Sequence, residues 1–154
     1  MRFLLVLILL LIPLGCDDEE TLDEADREEI YSTFQTGVDQ KEDPFVRAET
    51  VRVLEIIADP SLNRFAEPLL EDEKPMVRVA ALRALLAAGH PEGRLKALNA
   101  YGKADAGEKR AIVRAVLEYG APPLKREITG RALRHKDPLL RELAFREGKL
   151  ARVD

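Results

Sequence analysis

The chain has one cysteine and two histidines among 154 residues. A lone thiol allows no disulfide within the chain, so packing must hold the fold. Cys16 has no companion at metal-ligand spacing, and His90 and His135 both fall at expected turns, so no metal site is expected. Sustained period-two alternation is missing, which argues against strands. Long apolar runs are missing after residue 12: Arg or Glu interrupts every later stretch, and none could span a bilayer. There is no glycine-rich phosphate loop, and Ser32 and Ser61 lack a glycine elbow or a nearby base. The carboxylates fall mostly on helix faces exposed to water. This inventory does not support catalysis. We expect no enzyme, no cofactor and no small-molecule substrate.

The one long apolar run is at the start. Met1-Arg2 gives a short positive start, Phe3 to Ile12 is unbroken apolar sequence, and Pro13-Leu14-Gly15-Cys16 follows. The run is too short to cross a bilayer and has the form of a cleavable export signal. Gly15-Cys16 resembles a bacterial lipobox. It departs from that pattern at Pro13, where leucine is usual, and at Leu14, where small residues are commoner. The resemblance implies a signal peptide over 1–15 and lipidation of Cys16, which would hold the protein to a membrane in the bacterial cell envelope. An uncleaved anchor, or a secretory signal with a stray thiol, are the alternatives. Several acyl chains anchor firmly, whereas one binds only marginally. Asp17 after Cys16 resembles an inner-membrane retention signal, while the wider acidic run resembles a surface-export signal. The leaflet therefore stays open.

Charge is unevenly spread. Without residues 1–15 the formal charge is −5, yet residues 17–29 carry −8 and residues 109–153 carry +7. Either run could be a solvated helix face. The basic end could also meet an acidic partner or anionic head groups. Export would remove the protein from nucleic acid, so none is expected as a partner. Residues 16–20 read as an acidic tether and 21–154 as one repeat domain, opened by a capping box at Thr21-Leu22-Asp23-Glu24.

Within that domain a phrase recurs. Asp43-Pro44-Phe45-Val46-Arg47 returns as Lys74-Pro75-Met76-Val77-Arg78, 31 residues on, and again as Asp137-Pro138-Leu139-Leu140-Arg141. Arg83 to Arg114, Ala84 to Ala115 and Gly89 to Gly120 keep the same step. A fixed period of this size means stacked helical repeats. The expected fold is all-α, a short α-solenoid of about four helix pairs. The expected buried stripes are Ile30, Phe34 and Val38, then Val46, Thr50, Val53, Leu54 and Ile57. Phe65, Ala66, Leu69 and Leu70 line a helix over Leu62 to Glu71, which Pro68 should bend or shorten. Val77, Ala81, Ala84, Leu85 and Ala88 follow. A helix opening at His90-Pro91 carries Leu95, Leu98 and Tyr101. Ile112, Val113, Val116 and Leu117 come next, then Leu124, Ile128, Ala132 and Leu133, and last Leu143, Ala144 and Phe145.

The Pro/Val/Arg opening, the alanine-rich middle and the 31-residue period resemble the HEAT-like repeats first grouped with phycobilisome lyases. The resemblance covers roughly Asp43 to Gly148. It departs at Gly107-Glu108-Lys109, which replaces Pro/Val/Arg. It implies architecture and a scaffold or adaptor role, not lyase chemistry.

Two rows of basic residues follow from the period. Arg47, Arg78, Lys109 and Arg141 open the repeats. The resemblance implies that such arginines bond an acid or carbonyl at a neighbouring turn, as Asp43 or Asp137 could offer. Arg52, Arg83 and Arg114 sit mid-helix on the inner helices, which line the concave side of such stacks. That row is the candidate site for an acidic protein partner, through charge-assisted hydrogen bonds. A solvated row without a partner is the bland alternative. The expected function is thus a lipid-anchored envelope scaffold or adaptor. The alternative is a structural envelope component whose basic C-terminal half contacts anionic lipid.

Overall fold

The computed structural model describes residues 24–150. The signal sequence over 1–15, Cys16, the tether over 16–20 and most of the capping box lie outside these residues. The chain divides into two compact units, 1–30 and 31–154. Of the first, only residues 24–30, the opening of a helix, are described. The second holds the repeats.

Eight helices and no strand make up the described residues: α1 (Glu24–Gly37), α2 (Pro44–Ile56), α3 (Leu62–Leu69), α4 (Pro75–Ala87), α5 (Gly93–Lys103), α6 (Ala106–Tyr119), α7 (Pro122–Leu133) and α8 (Pro138–Leu150). From α2 onward they alternate as inner and outer helices of an all-α solenoid. The inner helices α2, α4, α6 and α8 begin at residues 44, 75, 106 and 138, in steps of 31, 31 and 32. Each inner helix packs on the next, and α3, α5 and α7 pack behind them.

Local chemistry sets the helix starts. Asp43 accepts from the Phe45 amide at 2.7 Å, and Pro44 takes the first helical position, where a missing N–H costs nothing. Asp105 accepts from the Glu108 amide at 2.8 Å. So α6 starts in register although it lacks the Pro/Val/Arg phrase. The stops are equally local. Gly89 (φ 68°) and Ala58 (φ 51°), 31 residues apart, both take the left-handed conformation after an inner helix. Behind them the Asp59 and His90 amides reach back to the Leu54 and Leu85 carbonyls at 3.0 and 2.9 Å.

The core runs along the stack through Val51, Leu54, Val77, Leu82, Leu85, Ile112, Val113, Val116, Leu124, Ile128 and Leu140. Each such side chain contributes about 1.5–3 kcal/mol by leaving water. Alanines at 81, 84, 97, 115, 132 and 144 are buried as well and let the helices approach closely.

Several expected stripes are corrected by one helical position. In α2 the buried residues are Arg47, Ala48, Val51 and Leu54, while Val46, Thr50 and Val53 are half-buried and Ile57 is exposed. Val46 and Val53 correspond to Val77 and Ala84, which are fully buried in α4. No described inner helix precedes α2, so that side stays partly open. In α5 the inward positions are Gly93, Ala97 and Tyr101 at four-residue spacing; Leu95 points away and is 58% exposed. Leu133 and Phe145 are also exposed and Ala88 lies outside the core, whereas Leu86 is buried. Helix α3 stops at Leu69, short as Pro68 foretold, and α5 starts at Gly93, not His90. His90 is instead held in the turn: its Nε2 meets Glu67 at 2.6 Å, and its Nδ1 accepts from the Glu92 amide at 3.2 Å.

Candidate interaction face

The inner helices carry two sets of basic side chains, and the structure gives them different work. In the repeat-opening set, Arg47 and Arg78 turn inward. Arg47 is 2% exposed and grips Asp72 with two parallel bonds, Nε to Oδ2 at 2.8 Å and Nη2 to Oδ1 at 2.9 Å. Its Nη1 donates to the carbonyls of Gln40 and Glu42. Arg78 repeats the arrangement one unit later, with Glu108 at 2.8 and 2.7 Å and the carbonyls of Asp72 and Glu73 at 2.7 and 3.1 Å. Arg110 then meets Asp137 at 2.7 Å. Each arginine ties the start of its own helix to an acid of the next repeat.

These partners differ from the expected ones. Asp43 caps its own helix, and Asp137 serves Arg110 while capping the Leu139 amide. Lys109 leaves the ladder: its ammonium lies 5.5 Å from the Tyr101 ring centre. The role passes to the neighbouring Arg110. Arg141 bonds the His135 and Lys136 carbonyls, both at 2.9 Å, but has no acid partner among the described residues.

The electrostatics follow the geometry. Burial pushes the Asp72 carboxyl up, but the Arg47 guanidinium and the Lys74 amide outweigh it, so the carboxyl titrates below its usual range. The Glu108 carboxylate raises Arg78 against the opposing effect of burial.

The mid-helix set lies on the other side. On α2, Phe45, Glu49, Arg52 and Ile56 are spaced by four, three and four residues, and all are exposed. That spacing is one helix face. The matching face holds Arg83 on α4 and Arg114 on α6. The longer last step places Arg146, not residue 145, at the same position on α8. The row therefore has four arginines.

They are not equivalent. Arg52 pairs with Glu49 at 2.9 Å, both largely exposed. Arg83 is half-buried: Nη2 meets the Tyr119 hydroxyl at 2.8 Å and Glu55 at 3.5 Å, and its guanidinium lies 5.3 Å from the Tyr119 ring centre. It thereby bridges α2, α4 and α6. Arg114 is exposed and makes no hydrogen bond or ion pair among the described residues. Arg146 stands 3.9 Å from Glu142, with 71% of its side chain exposed. Sequence reasoning missed Arg146 because the fourth repeat is offset by one residue. It missed the Tyr119 clamp because residues 83 and 119 share no period.

Among the described residues no cluster of His, Cys, Asp or Glu could hold a metal ion. No described helix is long and apolar enough to cross a membrane. A family model described as HEAT repeats matches residues 32–118. No curated protein and no solved structure matches the chain.

Proposed function

The chain belongs to the family of HEAT repeats, and on that footing we propose that it is a non-catalytic binding module whose inner-helix face docks an acidic segment of a protein partner. One observation carries this reading. Four arginines recur at the same position of successive inner helices, three of them exposed (Arg52, Arg114 and Arg146), while Arg47, Arg78 and Arg110 are engaged by acids within the stack. An exposed guanidinium–carboxylate pair contributes about 0.2–1 kcal/mol, so firm docking needs several along the row. Arg114 is the best placed to make one, since it surrenders no internal bond. Arg83 positions the row and stiffens it.

The module is delivered, in this reading, to a membrane of the bacterial envelope by lipid on Cys16. The sequence Gly15-Cys16 with its preceding apolar run supports that anchor. The scaffold would then act as an adaptor or assembly factor at the membrane surface.

In-cell cross-linking with mass spectrometry tests the docking face. The double change Arg52→Glu with Arg114→Glu spares Arg83 and so spares the fold. A defined protein adduct of the parent chain should be lost in this variant. An adduct that survives while the melting curve is unchanged removes the docking face. Binding of both proteins to anionic vesicles, rising with anionic content and falling with salt, would instead favour a lipid-contacting role for the basic C-terminal half. Cys16→Ser tests the anchor separately: it should move the protein from the membrane to the soluble fraction.

A further inference from the structure

Beside the arginine row runs a second, apolar one. The second residue of α2 is Phe45, of α4 Met76 and of α8 Leu139, and these are 65%, 43% and 58% exposed. The second residue of α6 is Gly107, which leaves a notch in the row. Each apolar residue stands seven positions before an arginine of its own helix: 45 and 52, 76 and 83, 139 and 146. Seven residues of α-helix rise about 10 Å, so the two rows run parallel at roughly that distance. Between them lie Glu49, Ala80, Ala111 and Leu143. The two central alanines make a low floor between taller walls.

We infer that the partner docks here as a single amphipathic, acidic α-helix laid across the inner helices, its apolar stripe against Phe45, Met76 and Leu139 and its carboxylates toward Arg52, Arg114 and Arg146. This rests on the proposed docking face and specifies what fills it. The width between the rows, about 10 Å, is that of one α-helix. Neighbouring packed helices lie about 8–10 Å apart, which a crossing helix covers in roughly five to seven residues. Apolar residues at heptad spacing therefore meet successive repeats in register. A large side chain opposite Gly107 would fill the notch. An extended strand fits worse, since alternate side chains point to opposite faces and it would engage one row at a time.

The test uses the full chain and a fluorescein-labelled peptide of about 21 residues, three heptads long. Its leucines recur every seventh position, glutamates flank them on one side, and alanine fills the rest. The second probe has the same composition in scrambled order. Fluorescence anisotropy should show binding of the first peptide only. It should weaken about tenfold in Arg114→Glu and about tenfold in Met76→Ser with Leu139→Ser, each near the 1.4 kcal/mol that a tenfold change represents. All these positions are exposed, so melting curves should stay put. Equal binding of the scrambled peptide, or indifference to the apolar changes, overturns the helical occupant while leaving a purely ionic strip. No binding of either peptide, with the in-cell adduct still dependent on Arg52 and Arg114, also overturns the helix inference alone. Loss of both results removes the docking face as well.

Discussion

Asp72 takes two bonds from a guanidinium that is almost wholly out of water. Removing one member of such a pair strands a buried charge. Asp72→Asn should therefore cost about 3–5 kcal/mol in urea unfolding. The pH dependence has a definite sign. The folded-state carboxyl lies below its ordinary value near 3.8, so its contribution is present above that value and is lost as pH falls from there through the lower folded-state value. The parent chain should lose stability on acidification from about pH 5 downward more steeply than Asp72→Asn. Tyr101 presents the opposite case. Its hydroxyl is buried and has no hydrogen-bond partner among the described residues. Tyr101→Phe removes an unpaired polar atom and keeps the ring under Lys109, so it should raise stability by about 1 kcal/mol in the same measurement. The periodic arginines were visible in the sequence. Their partners were not, because Asp72, Glu108 and Asp137 lie 25, 30 and 27 residues from the arginines they serve and so share no common offset.

At the scale of the helix, starts and stops were legible except at the opening of α5, and faces were less so. Asp43-Pro44, Asp105 and Gly89 announce their roles because capping needs only neighbouring residues. Which side of an inner helix is buried depends on the helices around it. Hence the α2 stripe shifted to Val51, and in α5 glycine and alanine turned inward while Leu95 faced water. The two equivalent helix stops offer a clean comparison. Ala58 pays the left-handed penalty that Gly89 avoids. Ala58→Gly should stabilise by about 0.5–1 kcal/mol, and Gly89→Ala should destabilise by a similar amount, read as opposite shifts in thermal midpoint. Gly37 is a different constraint: a Cβ there would sit 2.4 Å from the Thr50 hydroxyl. Gly37→Ala should thus loosen the end of α1 on α2, seen as faster amide exchange in both.

For the molecule as a whole, the 31-residue period was enough to read the architecture, since a repeat that cannot bury its own face must stack. The candidate face was legible only in part. Three of its arginines follow the period, whereas Arg146 and the apolar row need the 32-residue last step that the structure supplies. A stack also distributes stability by nearest neighbours. Leu85→Ala, in the middle, should cost about 2–5 kcal/mol and raise amide exchange on both sides. Asp137→Ala, near the end, should raise exchange mainly in α7 and α8. The stack thus keeps Arg47, Arg78, Arg83 and Arg110 for itself and leaves Arg52, Arg114 and Arg146 facing out. A photo-cross-linking residue placed at Ala111, on the floor between the rows, tests that division most directly, with one at the exposed outer-helix position Leu95 as its counterpart. One defined protein adduct is expected in cells from position 111, lost when Arg114→Glu is added, and none from position 95. Equal adducts from both positions, or an adduct at 111 indifferent to Arg114→Glu, would contradict that division.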